Sequence, residues 1–195
     1  MEKSIIASLT ESQAALNAFI KDELAISAIA QAGRFLVEAF TRSGRVFSCG
    51  NGGSMCDAMH FAEELSGRYR QDRRGLAAVS ISDPSHLSCV ANDMGYAQVF
   101  SRYLEAHARA GDCLVAFSTS GTSANVVAAA TYAKEHGITV IALTGRRHSP
   151  LSELADVEIC APGGPYADRA QELHIKVVHI LIELVERELF PANYA

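Results

Sequence analysis

The sequence has no surplus of positive charge and no apolar start of the kind that marks exported proteins. Its 17 lysine and arginine residues are outnumbered by 22 aspartate and glutamate residues, giving a formal net charge of -5 at pH 7. Polyanion binding needs a basic footprint, so we expect no nucleic-acid partner. Glu2, Glu11, Asp22 and Glu23 interrupt the first apolar segment, unlike a secretion signal. We also expect no membrane-spanning segment and no membrane partner.

Cysteine is sparse, and its spacing indicates no paired framework. The five cysteines include no Cys-x-x-Cys pair, and an odd number cannot close completely into intramolecular disulfides. We therefore expect a reducing, cytoplasmic compartment. Because free cysteine is among the most buried residue types, the sequence predicts that all five fill space in the core. They are Cys49, Cys56, Cys89, Cys113 and Cys160.

Apolar residues are abundant, at 49% of the 195 residues, which is enough to bury one substantial core. We expect a single domain. Helical periodicity over residues 4–41 predicts two helices, the second ending at Gly44. We therefore divide the domain into an N-terminal helical segment, residues 1–43, and an α/β core, residues 44–195.

Five short β-type runs follow the N-terminal helices, and longer helical patterns separate them. The runs cover residues 46–49, 76–82, 113–118, 138–144 and 157–160. This alternation predicts a parallel sheet covered by helices on both faces. The last predicted helix, from about residue 166 to 189, is apolar almost all round, so we expect it to be buried, partly by neighbouring subunits.

Three loops are expected at the carboxyl ends of these strands, where α/β sheets bind ligands. They are a glycine-rich loop at 50–54, a loop at 83–95 that contains Asn92 and Asp93, and a serine/threonine loop at 118–123. The glycine-rich loop fails the dinucleotide fingerprint, because the third glycine would fall at Met55. Its glycines instead allow a small ligand to approach the backbone closely.

The serine/threonine loop, Ser-Thr-Ser-Gly-Thr-Ser at 118–123, lies between a buried strand and a helix predicted over 124–136. Hydroxyl groups and backbone N–H groups can converge there on one anion, and the helix dipole adds to the attraction. The loop therefore predicts a phosphate site. The alternative is a helix cap by Ser123 within an ordinary polar turn.

The helix predicted over about 54–65 carries three polar residues in one arc. At 100° per residue, Asp57, His60 and Glu64 point the same way. A histidine and a glutamate one turn apart suit a pair of metal ligands or a hydrogen-bonded acid and base. The alternative is a solvated pair on an amphipathic helix.

A second polar arc, of Asp168, Gln171 and His179, runs along the last predicted helix. His179 lies among apolar neighbours, where a polar group needs a partner, so we interpret it as a functional group. The alternative is a satisfied core histidine. Arg68 is placed to reach a ligand, and a surface arginine is an equal alternative.

Together these motifs resemble those of the phosphoheptose isomerases, a family with the sugar isomerase (SIS) fold. The resemblance covers nearly the whole chain, and the combination is far more specific than any one motif. The segments that carry it are Cys-Gly-Asn-Gly-Gly-Ser at 49–54, Asp-Ala-Met-His-Phe-Ala-Glu-Glu at 57–64, Asn-Asp at 92–93, the serine/threonine loop, and Tyr-Ala-Asp-Arg-Ala-Gln at 166–171.

The resemblance implies a fold, an activity and an assembly. The fold is a three-layer α-β-α sandwich with a central five-stranded parallel sheet in flavodoxin-like order, plus N-terminal helices. The activity is conversion of D-sedoheptulose 7-phosphate to D-glycero-D-manno-heptose 7-phosphate through an enediol, the first step toward the heptose of bacterial lipopolysaccharide. The assembly is a cytoplasmic homotetramer with active sites at subunit interfaces, in which residues 1–43 contribute to oligomer packing.

The resemblance also implies roles for individual residues. Glu64 and His179 are the expected catalytic pair, and one zinc ion per subunit is the expected cofactor. The implied zinc ligands are His60, Glu64, Gln171 and His179, although glutamine is an unusual zinc ligand. The implied substrate-binding residues are Asn51, Gly52, Gly53, Glu64, Asn92, Asp93, Ser118, Thr119, Ser120, Ser123, Asp168 and Gln171. Met55 and the segment 146–150 depart from the pattern of some relatives, and we expect neither to touch the chemistry.

Two other functions stay open at this point. A non-catalytic SIS-fold adaptor, like the tetrameric protein that binds the bacterial replication initiator, keeps the sheet and the serine/threonine loop. It has no need of the histidine and glutamate pairs on the two helices, so their presence argues against it. An isomerase of another sugar phosphate is the other alternative, because nothing in the loops fixes the number of carbons.

Overall fold

A computed structural model, which describes residues 1–161 and 163–195, has an α/β fold built on one five-stranded parallel sheet. The strand order is β2-β1-β3-β4-β5, which confirms the expected flavodoxin-like order. The second strand is shorter than the predicted run at 76–82. The strands are β1 (Val46–Cys49), β2 (Ala78–Ser80), β3 (Cys113–Ser118), β4 (Thr139–Thr144) and β5 (Val157–Cys160).

Helices cover both faces of the sheet, as the alternation of patterns predicts. Two short 3-10 helices, Tyr96–Gln98 and Pro191–Tyr194, supplement them. The α-helices are α1 (Glu2–Ile20), α2 (Glu23–Thr41), α3 (Gly53–Ser66), α4 (Pro84–Met94), α5 (Val99–His107), α6 (Ala124–Glu135), α7 (Pro150–Leu154) and α8 (Ala167–Leu189). Helix α2 ends at Thr41, three residues before the predicted end at Gly44.

The prediction that residues 83–95 form a loop is wrong, because this segment is helix α4. The side chain of Asp83 accepts a hydrogen bond from the backbone N–H of His86 at 2.8 Å, and Pro84 occupies the first helical position. Both features favour helix initiation. Asn92 and Asp93 therefore lie in the last turn of a helix and not in a strand-end loop.

The core has two layers, one on each face of the sheet, because side chains alternate along every strand. On β3, Val115 and Phe117 pack against the layer formed by α2, α3 and α8. Leu114 and Ala116 pack on the opposite face, against α5 and α6. All six residues of β3 are buried, as expected for the central strand of a parallel sheet.

Helix α2 is long and apolar enough, by length and composition, to cross a bilayer, so the expectation that no segment has these properties is wrong. Its best 18-residue window has a mean hydropathy of 1.2. The composition has a second physical reason here, because one face of α2 joins the core layer that contains α8 and β5. Core helices and membrane helices share this apolar composition.

The prediction that all five cysteines fill the core holds for three of them. Cys49, Cys113 and Cys160 are buried, and burial raises the pKa of the Cys49 thiol to about 12. Cys56 and Cys89 are exposed, so the prediction is wrong for these two. Cys56 lies on helix α3 and Cys89 on helix α4, where the solvent-facing positions of each helix need no apolar partner.

His174 makes the stability of the fold sensitive to acid. Its ring is fully buried, Nε2 lies 3.1 Å from the main-chain oxygen of Thr144, and burial lowers its pKa to about 4. The unfolded chain protonates this ring near pH 6.5, so stability is lost as the pH falls from that value toward 4. Between pH 7 and pH 4.5, we expect the unfolding free energy of wild type to fall by about 2 kcal/mol more than that of His174→Leu.

Urea unfolding of both proteins at the two pH values measures this difference. The variant leaves the Thr144 oxygen satisfied, since this oxygen also accepts the backbone N–H of Ala161 at 2.8 Å. An equal loss of stability in both proteins would show that other groups account for the acid sensitivity.

Candidate active site

The glycine-rich loop and the serine/threonine loop follow β1 and β3, which are neighbours at the point where the strand order reverses. Asn51 joins the glycine-rich loop to the first turn of α6 through paired amides. Its Nδ2 donates to Oδ1 of Asn125, and its Oδ1 accepts from Nδ2 of Asn125, both at 2.8 Å. Tyr96 donates its hydroxyl hydrogen to the same Asn51 oxygen at 3.0 Å. The orientation of the Asn51 amide is therefore fixed from two sides.

Gly53 brings the start of α3 against α8. A β-carbon at Gly53 would lie 2.8 Å from both the Oε1 and Nε2 atoms of Gln171, so any larger residue would make the Gln171 amide shift. The preceding Gly52 has a φ of 56°, in the left-handed region. The structure thus brings together two predicted substrate-binding loop residues and the amide of Gln171.

The serine/threonine loop is held by hydrogen bonds of its own. Ser118 donates its hydroxyl hydrogen to Oγ of Ser123 at 3.2 Å, and its own Oγ accepts from the backbone N–H of Gly121 at 3.1 Å. Within the described residues, Ser123 makes no side-chain cap to the first turn of α6. The alternative of an ordinary cap by Ser123 is therefore wrong. The backbone N–H of Val126 donates to Oδ1 of Asn125 at 3.0 Å, and the N–H groups before it can donate to an anion.

A cavity of about 180 Å³ opens beside this loop. Thr119, Ser120, Arg146 and Tyr166 contribute to its lining, together with the backbone of the segments around Gly145 and Gly164. Arg146, in the segment 146–150, thus places a cation beside the predicted phosphate loop. That this segment does not touch the chemistry stays a prediction. Met55 fits the expectation, because it packs against the core layer that contains α5 and α6.

Helices α3 and α8 bring His60, Glu64 and His179 into one compact group. Nε2 of His60 lies 3.2 Å from Oε1 of Glu64 and 3.3 Å from Nε2 of His179. Oε2 of Glu64 lies 3.8 Å from Nε2 of His179. The Glu64 side chain is only 15% exposed, so it is not part of a solvated surface pair. His179 is 40% exposed and faces polar partners, so it is not a core histidine.

The donor set suits a divalent metal. One potential ligand atom from each of the three residues lies within 4.8 Å of the other two, and two imidazoles with a carboxylate are a known zinc set. Oε2 of Glu64 is buried, and it has no hydrogen-bond partner among the described residues. A buried carboxylate oxygen without a partner is costly unless a cation or proton neutralises it. The three residues therefore fit a metal ion.

Tyr69 and Asp57 shape the surroundings of this group. The Tyr69 ring stacks on the His179 ring, with centroids 5.9 Å apart. Asp57 lies one turn before His60, and burial raises the pKa of its carboxyl to about 6, an effect that the nearby His60 partly opposes. Asp57 thus belongs to the polar arc predicted for α3, next to the group of three.

Four predicted residues are exposed, and none of them is part of that group. Nδ2 of Asn92 donates to Oδ1 of Asp93 at 2.7 Å, and both side chains are exposed. Asp168 is exposed and accepts from the backbone N–H of Arg169 at 2.9 Å. Arg68 is exposed as well. Substrate contact by these residues stays a prediction.

Three residues that the sequence patterns do not single out touch the predicted site, namely Asn125, Tyr96 and Tyr69. A polar residue in the first turn of the helix that follows the serine/threonine loop is a signal that could have drawn attention to Asn125. Tyr96 begins a short 3-10 helix and Tyr69 lies in the connection between α3 and β2, where spacing gives no direction for a side chain.

Comparison of the sequence with known proteins identifies the family of this chain. The model of the SIS domain family matches residues 9–145. Over 181 residues, 93% of this chain and 94% of the relative, the chain is 57% identical to a phosphoheptose isomerase of Aeromonas hydrophila. The chain belongs to the phosphoheptose isomerase family of SIS-domain proteins. A phosphoheptose isomerase of Glaesserella parasuis is 53% identical over 96% of this chain and 98% of its own length.

Solved structures of phosphoheptose isomerases share the fold over nearly the full chain. The enzyme from Neisseria gonorrhoeae is 36% identical and superposes with a TM-score of 0.88, covering 95% of this chain and 98% of its own. The enzyme from Francisella tularensis is 30% identical with a TM-score of 0.89, covering 95% and 97%. The family resemblance and the α/β fold expected from the sequence are both confirmed.

Proposed function

We propose that this protein isomerises D-sedoheptulose 7-phosphate to D-glycero-D-manno-heptose 7-phosphate in the cytoplasm. This reaction would be the first step toward the heptose of bacterial lipopolysaccharide. The observation that carries the proposal is the group of His60, Glu64 and His179, built from two helices in a chain of the phosphoheptose isomerase family. The relatives that share more than half of its residues are named for this activity.

Glu64 and His179 divide the proton transfers. Glu64, as its carboxylate, removes a proton from C1 of the ketose and returns a proton to C2, so that an enediol lies between substrate and product. His179 moves the hydroxyl protons, because O1 must lose a proton and O2 must gain one. Because the Nε2 atoms of His60 and His179 lie 3.3 Å apart, one ring can donate its N–H to the other.

The loops bind the rest of the substrate. We assign the phosphate to Ser118, Thr119, Ser120 and Ser123, where hydroxyl groups meet the N-terminus of α6. The sugar hydroxyls fall to Asn51, Gly52, Gly53, Asn92, Asp93, Asp168 and Gln171. The contact of the Gln171 amide with Gly53 supports this, because it places a donor and an acceptor beside the glycine-rich loop.

His60, Glu64 and His179 would hold one zinc ion per subunit, with Gln171 as the proposed fourth ligand. The orphaned Glu64 oxygen supports the metal, and zinc at this position would polarise the carbonyl group of the substrate. Glu64 and His179 would then each have a ligand role as well as a proton-transfer role. Metal analysis of the purified protein, with activity measured after chelation and after zinc is restored, tests this assignment.

A non-catalytic adaptor would have no use for this arrangement. Two histidines and a buried carboxylate on separate helices cost stability when they meet without a ligand. Their convergence therefore favours an enzyme over an adaptor of the same fold. The number of carbons in the preferred sugar phosphate is tested with the parallel substrates named below.

We propose that the protein is a homotetramer whose active sites lie at subunit interfaces. The exposed apolar side chains support this assembly, because helix α1 presents Ile5, Ile6 and Leu9 to the outside. Met59 and Ile180 are exposed on α3 and α8, next to His60 and His179 in the chain. Exposed apolar surface of this kind marks interaction sites.

We expect Ile6→Glu to dissociate the tetramer. Glutamate has good helix propensity, so α1 can still form, while a charge at an apolar interface opposes association. Light scattering should show wild type at four times the 20.9 kDa chain mass and the variant at a lower mass. Ser4→Glu, a charge at an exposed polar position of the same helix, is the matched control. A tetrameric Ile6→Glu variant would contradict a role of this face.

The activity is tested by incubating the protein with sedoheptulose 7-phosphate and following the aldose by NMR, with and without zinc. Ketose 6-phosphates and amino-sugar phosphates serve as parallel substrates. We expect conversion of the seven-carbon ketose at the highest kcat/KM. A higher kcat/KM for a different sugar phosphate would show that the protein is an isomerase of that sugar. If none of the substrates is converted, the proposed activity is wrong.

A further inference from the structure

Behind the group of His60, Glu64 and His179, a buried ion pair connects the two helices that carry it. Arg73, in the segment after α3, and Glu186, on α8, approach to 2.9 Å between Nε and Oε1. Their side chains are 1% and 0% exposed. Charged residues are almost never fully buried unless they are paired, and a buried pair is held to demanding geometry.

Arg73 also closes the end of α3. Its Nη2 donates to the main-chain oxygen of Glu64 at 2.6 Å, and its Nη1 donates to those of Leu65 at 2.8 Å and Gly67 at 2.9 Å. The last carbonyl groups of a helix have no partners inside the helix, and a cation there interacts favourably with the negative end of the helix dipole. Arg73 therefore fixes the backbone turn from which the Glu64 carboxylate extends.

Glu186 ties this contact to α8. It lies seven residues after His179, two helical turns along the same face. Its second oxygen, Oε2, accepts the hydroxyl hydrogen of Tyr194 at 2.8 Å. Nδ2 of Asn193 donates to the main-chain oxygen of Asp72 at 3.1 Å, so the C-terminal residues brace the segment that carries Arg73.

We infer that Arg73 and Glu186 are positioning residues for the isomerase site, holding Glu64 and His179 at their working separation. The inference rests on the proposed function. Without the forked donors of Arg73, the main-chain oxygens of Glu64 and Gly67 lose these hydrogen bonds, while that of Leu65 keeps the backbone N–H of Leu76. The 3.8 Å approach of Glu64 to His179 is then no longer enforced. Neither residue belongs to the predicted substrate-binding or metal-binding set.

Arg73→Lys and Glu186→Gln test the inference. Lysine keeps the charge but loses the fork, and glutamine keeps the size but loses the charge. Arg70→Lys is the matched control, since Arg70 pairs with Glu183 of the same helix at 2.9 Å but is 52% exposed. We measure kcat and KM with sedoheptulose 7-phosphate, the affinity for Co²⁺ from its absorption spectrum, and the far-UV circular dichroism.

For both variants we expect native circular dichroism, a kcat lowered about tenfold or more, and a Co²⁺ affinity lowered about tenfold, with KM nearly unchanged. The control should match wild type. Wild-type kcat and Co²⁺ affinity in the folded variants would overturn the inference. Unfolding of both variants would also overturn it, because the pair would then maintain the fold and not the site.

The two measurements, kcat and Co²⁺ affinity, separate this inference from the proposed function. If wild type fails to isomerise sedoheptulose 7-phosphate, the proposed function fails, and the Co²⁺ affinities of the variants still test the role of the ion pair. If wild type binds no Co²⁺, the change in kcat judges it. Loss of both wild-type signals removes the site and the inference with it.

Discussion

Glu64→Gln should lower kcat for sedoheptulose 7-phosphate by about a hundredfold or more. The amide has the shape of the carboxylate but cannot take a proton from C1, and the group of three loses its one negative charge. Oε2 of Glu64 is buried without a partner among the described residues and lies 3.8 Å from His179. Glu64 is the one carboxylate in the group of three, so neither of the other two members can replace it as a carboxylate base. Steady-state kinetics on the purified, folded variant measure the loss.

Glu63→Gln is the matched control, because Glu63 is the preceding residue of α3 and is exposed. We expect it to keep wild-type kcat. The same experiment with His179→Gln should also show a large loss, since the oxygens of the substrate then lack their acid. Turnover of Glu64→Gln within about threefold of wild type would rule out Glu64 as the base.

Ser120→Asp should lower kcat/KM by about a hundredfold, mainly through KM. Ser120 lies in the loop assigned to phosphate, and two negative charges about 4 Å apart in a partly buried site repel by several kcal/mol. The fold should survive, because Oγ of Ser120 accepts hydrogen bonds from the backbone N–H and the hydroxyl of Thr122, which a carboxylate accepts equally well. Substrate titration over a wide concentration range measures the change.

Ser120→Asn separates charge from size, since it places a neutral side chain of the same shape in the loop. We expect a much smaller rise in KM for this variant. High salt should partly relieve the defect of Ser120→Asp and leave that of Ser120→Asn unchanged. Equal defects in the two variants would mean that the loop rejects bulk, and the phosphate assignment would lose its support.

The sequence predicts those parts of the site in which helical periodicity fixes the side of the helix on which a side chain lies. Residues three and four apart share a helix face, so the spacing of His60 and Glu64 is enough to place them together on α3. The strand order could be expected from the family motifs, and the loops at the carboxyl ends of β1 and β3 follow from it. These features depend on local spacing or on the parallel sheet itself.

The contacts that cross the fold could not be predicted in this way. Asn51 and Asn125 are 74 residues apart, and Arg73 and Glu186 are 113 apart, so no local pattern connects them. Nothing in the sequence distinguishes Arg73 from the neighbouring arginines, yet its side chain is only 1% exposed. Helix α4 is different, because Asp83 and Pro84 form a helix start that can be recognised in the sequence.

Solvent-hydrogen exchange tests the central claim most directly, that Glu64 moves a proton between C1 and C2 through an enediol. The reaction is run in D₂O with sedoheptulose 7-phosphate, and the aldose is examined by NMR and mass spectrometry. We predict deuterium at C2 of the product with wild type and with Glu63→Gln, and almost no product with Glu64→Gln. A carboxylic acid exchanges its proton with water, so deuterium at C2 reports a proton held by Glu64 on its way from C1 to C2. Rapid formation of the aldose by Glu64→Gln, labelled or unlabelled, would contradict the account.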